Sequence, residues 1–121
     1  MGVGALLACL LLGCGPTDIS GSWSGTWRTT LLNGDLDIDF EQDGDVLSGS
    51  FDLDGTGCVG YGDVDGDIER RNITATLANT VGGAIDIDAD VNAGESRITG
   101  SFEVVGGWCE GADGRITLDR N

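Results

Sequence analysis

Apolar and acidic residues alternate through this chain with a period of two, and no segment sustains the 3.6-residue period of an amphipathic helix. Leu36, Ile38 and Phe40 point one way while Asp35, Asp37, Asp39 and Glu41 point the other. The same rhythm runs through Trp23-Gly25-Trp27-Thr29, Leu47-Gly49-Phe51-Leu53, Val64-Gly66-Ile68, Ile73-Ala75-Leu77, Ile85-Ile87-Ala89-Val91, Ile98-Gly100-Phe102-Val104 and Gly114-Ile116-Leu118. That makes about eight strands. Between them stand Asn33-Gly34, Asp43-Gly44, Asp54-Gly55, Gly82-Gly83, Ala93-Gly94 and Gly106-Gly107, the residue pairs of tight hairpins. Short loops between successive strands imply an antiparallel meander, and an open one would leave two unpaired edges. The pattern predicts an all-β fold, an eight-stranded up-and-down meander barrel, with a two-sheet β-sandwich as the alternative. Gly25, Gly49, Gly100 and Gly114 fall inside the apolar stripes, where missing side chains relieve crowding in a narrow barrel.

The chain also repeats itself. Leu47-Ser48-Gly49-Ser50-Phe51-Asp52-Leu53 aligns without a gap on Ile98-Thr99-Gly100-Ser101-Phe102-Glu103-Val104, and the two segments run on to Cys58 and Cys109. Asp37-Ile38-Asp39 matches Asp86-Ile87-Asp88. Two copies are too few for a solenoid. They suit one sheet closed on itself, with four strands from about residues 22–70 and four from about residues 72–120. Residues 21–121 are therefore one small domain.

At the other end of the chain, the uncharged apolar run from Val3 to Gly13 falls well short of the ~20 residues of a spanning helix. It ends in Leu11-Leu12-Gly13-Cys14, which resembles the lipobox of bacterial lipoproteins. The resemblance implies a signal peptide over residues 1–13, cleaved before a lipidated Cys14, and a short linker to residue 20. Stable anchoring in the cell envelope follows from several acyl chains, with the outer membrane as the default because Gly15 is not the Asp that resembles an inner-membrane retention signal. Cys9 leaves with the signal. Cys58 and Cys109 then remain as an even pair in an exported domain, read as a disulfide that stabilises by ~4 kcal/mol on the loop-entropy model.

All 21 acidic residues and all six arginines lie beyond this segment, and the chain has no His and no Lys. A net charge of −15 argues against nucleic acid and favours a basic protein, a cation or simple solubility. Without His or Lys there is no conventional base for a nucleophile and no Schiff-base lysine, so the chain is not expected to be an enzyme and no cofactor is implied. Asp63, Asp65, Asp67 and Glu69 place oxygen ligands at alternating positions, a weak calcium candidate that departs from the EF-hand spacing. In a strand they form the solvated face instead.

Gly21-Ser22-Trp23, with Arg120 near the end of the chain, resembles the Gly-x-Trp and late Arg of lipocalins. That resemblance implies an Arg packed across the Trp, closing one end of a barrel. Gly25-Thr26-Trp27 followed by Asp45-Val46-Leu47-Ser48-Gly49 is similar to the opening of avidin-like barrels, although Trp108 is the only later Trp and biotin is not supported. On these readings Trp23, Trp27, Phe40, Phe51, Phe102 and Arg120 form core and plug. Tyr61 and Trp108 sit on candidate partner-binding loops. Two roles follow: a barrel holding a hydrophobic small molecule, or an envelope lipoprotein that binds or inhibits a basic hydrolase, in the manner of lysozyme and protease inhibitors. A structural lipoprotein without a ligand is the third.

Overall fold

A computed structural model describes residues 17–54, 60–79, 82–107 and 109–121. Eight strands follow one another: β1 (Gly21–Arg28), β2 (Asn33–Asp43), β3 (Val46–Leu53), β4 (Tyr61–Glu69), β5 (Asn72–Ala78), β6 (Ala84–Val91), β7 (Arg97–Gly106) and β8 (Asp113–Arg120). Each pairs antiparallel with its neighbours and β8 returns to β1, closing the barrel. The fold is the up-and-down meander, not the sandwich. Alternation explains it directly: along β2 the pattern of burial puts Leu36, Ile38 and Phe40 inside and the intervening carboxylates outside. Closure leaves no unpaired edge.

The barrel is narrow, and its glycines show where. A methyl group on Gly25, Gly49, Gly100 or Gly114 would come within 1.8, 1.9, 2.3 or 1.9 Å of a carbonyl oxygen on the adjoining strand. Only a residue without Cβ allows those approaches.

Up-and-down topology sorts the connections into two groups. Those after β1, β3, β5 and β7 gather at one end, the loop end. The start of β1, the end of β8 and the connections after β2, β4 and β6 gather at the other.

Two connections depart from the sequence reading. Asn33-Gly34 opens β2 instead of making the turn. The chain reverses at residues 29–32, where the Thr29 hydroxyl accepts hydrogen bonds from the backbone N–H groups of Leu31 (3.2 Å) and Leu32 (3.0 Å). That side chain supplies the turn. Gly34 instead makes room for the Trp27 indole, whose Nε1 lies 2.7 Å from where a Cβ would stand. The second departure is a tight turn at Arg70 and Arg71 without Gly, in which Arg70 takes a left-handed φ of 59°.

Candidate functional site

The end where β1 begins and β8 finishes is capped by residues that precede β1. Residues 17–20, expected as linker, lie across it as a strap, and Ile19 is completely buried. Gln42 pins the strap: its Oε1 accepts from the Ile19 N–H at 2.8 Å, and its Nε2 donates to the Thr17 carbonyl at 2.7 Å. Beneath it Trp23, also 0% exposed, donates its indole N–H to the Ile19 carbonyl at 2.8 Å. The Arg120 guanidinium lies 4.5 Å from the centre of the Trp23 ring, a cation–π stack. Its three nitrogens donate to the carbonyls of Glu95, Ser20 and Asp18 at 2.7–2.8 Å. Planar and always charged, arginine can stack and donate in several directions at once. The Trp and late Arg thus meet as the resemblance implied. Asp18 belongs to the same arrangement: hydrogen bonds from the Ser20 hydroxyl and backbone N–H, reinforced by the charge of Arg120, hold its carboxyl below the usual range.

Among the described residues the interior is apolar and closely packed. Trp27, Phe40, Phe51 and Phe102 are all buried with Trp23, and Trp27 meets Phe102 edge to face at a centroid distance of 6.3 Å. Among the described residues no polar or charged side chain is buried. Between Trp27, Leu53, Leu77, Ile85, Phe102 and Ile116 there is a void of about 10 Å³, at the limit for a single water and far below the several hundred Å³ of a small-molecule pocket. A hydrophobic guest does not fit in that void.

The outer wall offers more room. A shallow groove of about 950 Å³ runs over the outer wall from β3 to β8 and carries six carboxylates, Asp65, Asp67, Asp86, Asp88, Glu103 and Asp113, against one arginine, Arg115. Thr76 and Asn72 each donate to one of these carboxylates, at 2.9 Å to Asp86 and 2.9 Å to Asp88. The calcium candidates Asp63, Asp65, Asp67 and Glu69 alternate along exposed β4, about 6.5 Å from one to the next. Among the described residues no three acidic or cysteine side chains gather closely enough to hold a metal ion.

At the loop end Tyr61 is 75% exposed and Leu31 90%. Cys109 packs half-buried against the core and carries no free thiol. The connections that contain Cys58 and Cys109 share this end, as the strand count implied. Cys58 itself, Trp108, the lipidation candidate Cys14 and the whole signal segment 1–13 lie outside the described residues. The β1–β8 seam contains a feature that sequence reading missed: Arg28 stands directly opposite Arg115. No local signal could reveal it, because the pairing depends on the register between first and last strands.

No family model matches the chain, and no curated protein matches it either. The small closed eight-stranded barrel is compatible with a calycin-like architecture.

Proposed function

We propose that this protein is a non-catalytic binding module of the bacterial envelope, anchored by lipid at Cys14, whose outer wall engages a basic protein. The observation that carries this reading is a groove holding six carboxylates and one arginine on the outer wall, beside an interior void of only about 10 Å³. That void is too small for a guest, and the wall favours a cationic surface. The charge of −15 would steer such a partner and speed encounter at low ionic strength. A basic hydrolase such as lysozyme fits that chemistry. The lipobox-like Leu11-Leu12-Gly13-Cys14 supports the anchor, and a Cys58–Cys109 disulfide would staple two connections at the loop end, with Tyr61 and Trp108 nearby as further contact candidates.

The test is calorimetric titration of lysozyme into the full chain at low salt and again at about 150 mM, where the screening length is ~8 Å. Saturable binding that weakens at least about tenfold with salt supports the reading, as does the same loss in the double variant Asp86→Asn, Asp88→Asn. Absence of binding at low salt, or binding indifferent to both changes, rejects a lysozyme-like partner on this wall.

A further inference from the structure

Six arginines carry all the positive side-chain charge of the chain, and the structure uses two of them internally. Arg97 pairs with Asp119 at 2.7 Å, and Arg120 donates to three carbonyls. Arg28 and Arg115 are different. They face each other directly across the β1–β8 ladder, both exposed, and among the described residues neither has a carboxylate within ion-pair distance. Side chains so placed have Cβ atoms about 5 Å apart, and like charges in that position repel. In a chain with 21 acidic side chains, two arginines stand opposite each other in the ladder, and among the described residues neither forms an ion pair.

Hydroxyl groups cluster beside them. Thr26 on β1, Thr117 on β8, and Thr99 and Ser101 on β7 face outward next to the pair, together with Asp113 two positions from Arg115 on β8 and Asp35 opposite Thr26 on β2. Among the described residues none of the four hydroxyls has a hydrogen-bond partner. Outward hydroxyl pairs also stand on β3 (Ser48, Ser50) and β5 (Thr74, Thr76), but at the β1–β8 seam they flank two arginines.

From this we infer an oxyanion site on the outer face of β7, β8 and β1, in which the guanidinium groups of Arg28 and Arg115 clamp one carboxylate or phosphate group, with Thr26, Thr117 and Ser101 as neighbouring donors. Guanidinium forks match the paired oxygens of both groups, and a ligand charge between them converts the repulsion into attraction. The ligand is small and diffusible. Glu103 and Asp113 form the next outward pair toward the loop end and Asp119 lies toward the other, so an extended polyanion meets carboxylates on either side. A compact one meets fewer of them, because carboxylates beyond the screening length of ~8 Å at physiological salt act on it only weakly. Arg115 and Ser101 also line the acidic groove, so the two proposals meet at its edge, and the arginine variants tested on small anions are read apart from the Asp86 and Asp88 variants tested on a basic protein.

The experiment titrates inorganic phosphate and, separately, citrate into the isotope-labelled full chain, following the Arg side-chain Nε–H resonances by NMR. Saturable shifts of Arg28 and Arg115 are expected, and the tighter of the two ions identifies the preferred group. Affinity should fall at least about tenfold in the double variant Arg28→Ser, Arg115→Ser and stay within about twofold in Arg70→Ser, Arg71→Ser, which removes the other unpaired doublet. The thermal midpoint of the first variant should hold or rise, since it relieves a like-charge contact on an exposed face. Shifts equal to those from sodium chloride at matched ionic strength overturn the proposal, as does equal loss in the two double variants. A fall in thermal midpoint without ligand assigns the pair a structural role and overturns it too.

Discussion

The β1–β8 and β4–β5 seams occupy equivalent places in the two halves of the barrel and share one register. Each β1 residue corresponds to the β5 residue fifty positions later, and each β8 residue to the β4 residue fifty-two positions earlier. Trp23 opposite Arg120 thus corresponds to Ile73 opposite Ile68, Thr26–Thr117 to Thr76–Asp65, and Arg28–Arg115 to Ala78–Asp63. The backbones agree while the chemistry diverges. At β4–β5 a tight turn at residues 70–71 joins the strands covalently, and an aliphatic pair fills the space inside. At β1–β8 no turn joins the two strands. There a buried indole, a stacked guanidinium and a strap take the place of the turn. Closing a barrel where the chain is open needs side-chain chemistry that a hairpin makes unnecessary.

The two seams should respond unequally to damage. The largest effect is expected at Trp23: truncation to Ala should destabilise the fold by about 3–5 kcal/mol, against about 0.5–1.5 kcal/mol for Ile73→Val in the twin seam. Chemical denaturation of both variants would measure the difference, and equal losses would remove the special standing of the terminal seam. Arg120→Lys comes next, at about 2 kcal/mol, because lysine keeps the charge but cannot stack and reach three carbonyls together. Full retention of stability in that variant would show that charge alone suffices.

The smallest effect concerns pH. The carboxyl of Asp18 is held below its ordinary value of 3.8. A carboxylate with a depressed folded-state pKa contributes stability above its unfolded value and loses that contribution as pH falls through the folded value. The strap should therefore be indifferent to pH from neutrality down to about pH 5 and loosen only in more acid solution. Amide exchange at Ser20 reads this directly, and Asp18→Asn should abolish the acid-dependent part.

The strands were legible because one face of each is buried, which forces a period of two on the sequence. The Trp23–Arg120 plug was legible only through resemblance, since nothing local joins residues so far apart. Asn33-Gly34 misled because a strong hairpin signal lost to the Thr29 hydroxyl and to the crowding of Trp27 on Gly34. Arg70 gave no warning of its positive φ, a conformation imposed by the ladder on either side. Ile19 sat in what looked like linker, and its burial depends on Gln42 reaching across from the β2–β3 hairpin. Whether the barrel was hollow could not be read either: inward residues name the lining, but strand tilt and stagger decide how far the rings reach.

Seven of the eight pairings join consecutive strands, and the eighth brings Trp23 against Arg120, ninety-seven positions away. Hairpins can therefore form one after another as the polypeptide is delivered, while the ring itself waits for the last few residues. Until then the growing sheet has two raw borders able to recruit another chain. The interval before the final strand arrives is thus the molecule's most vulnerable moment, and a chain cut short before β8 keeps that vulnerability permanently.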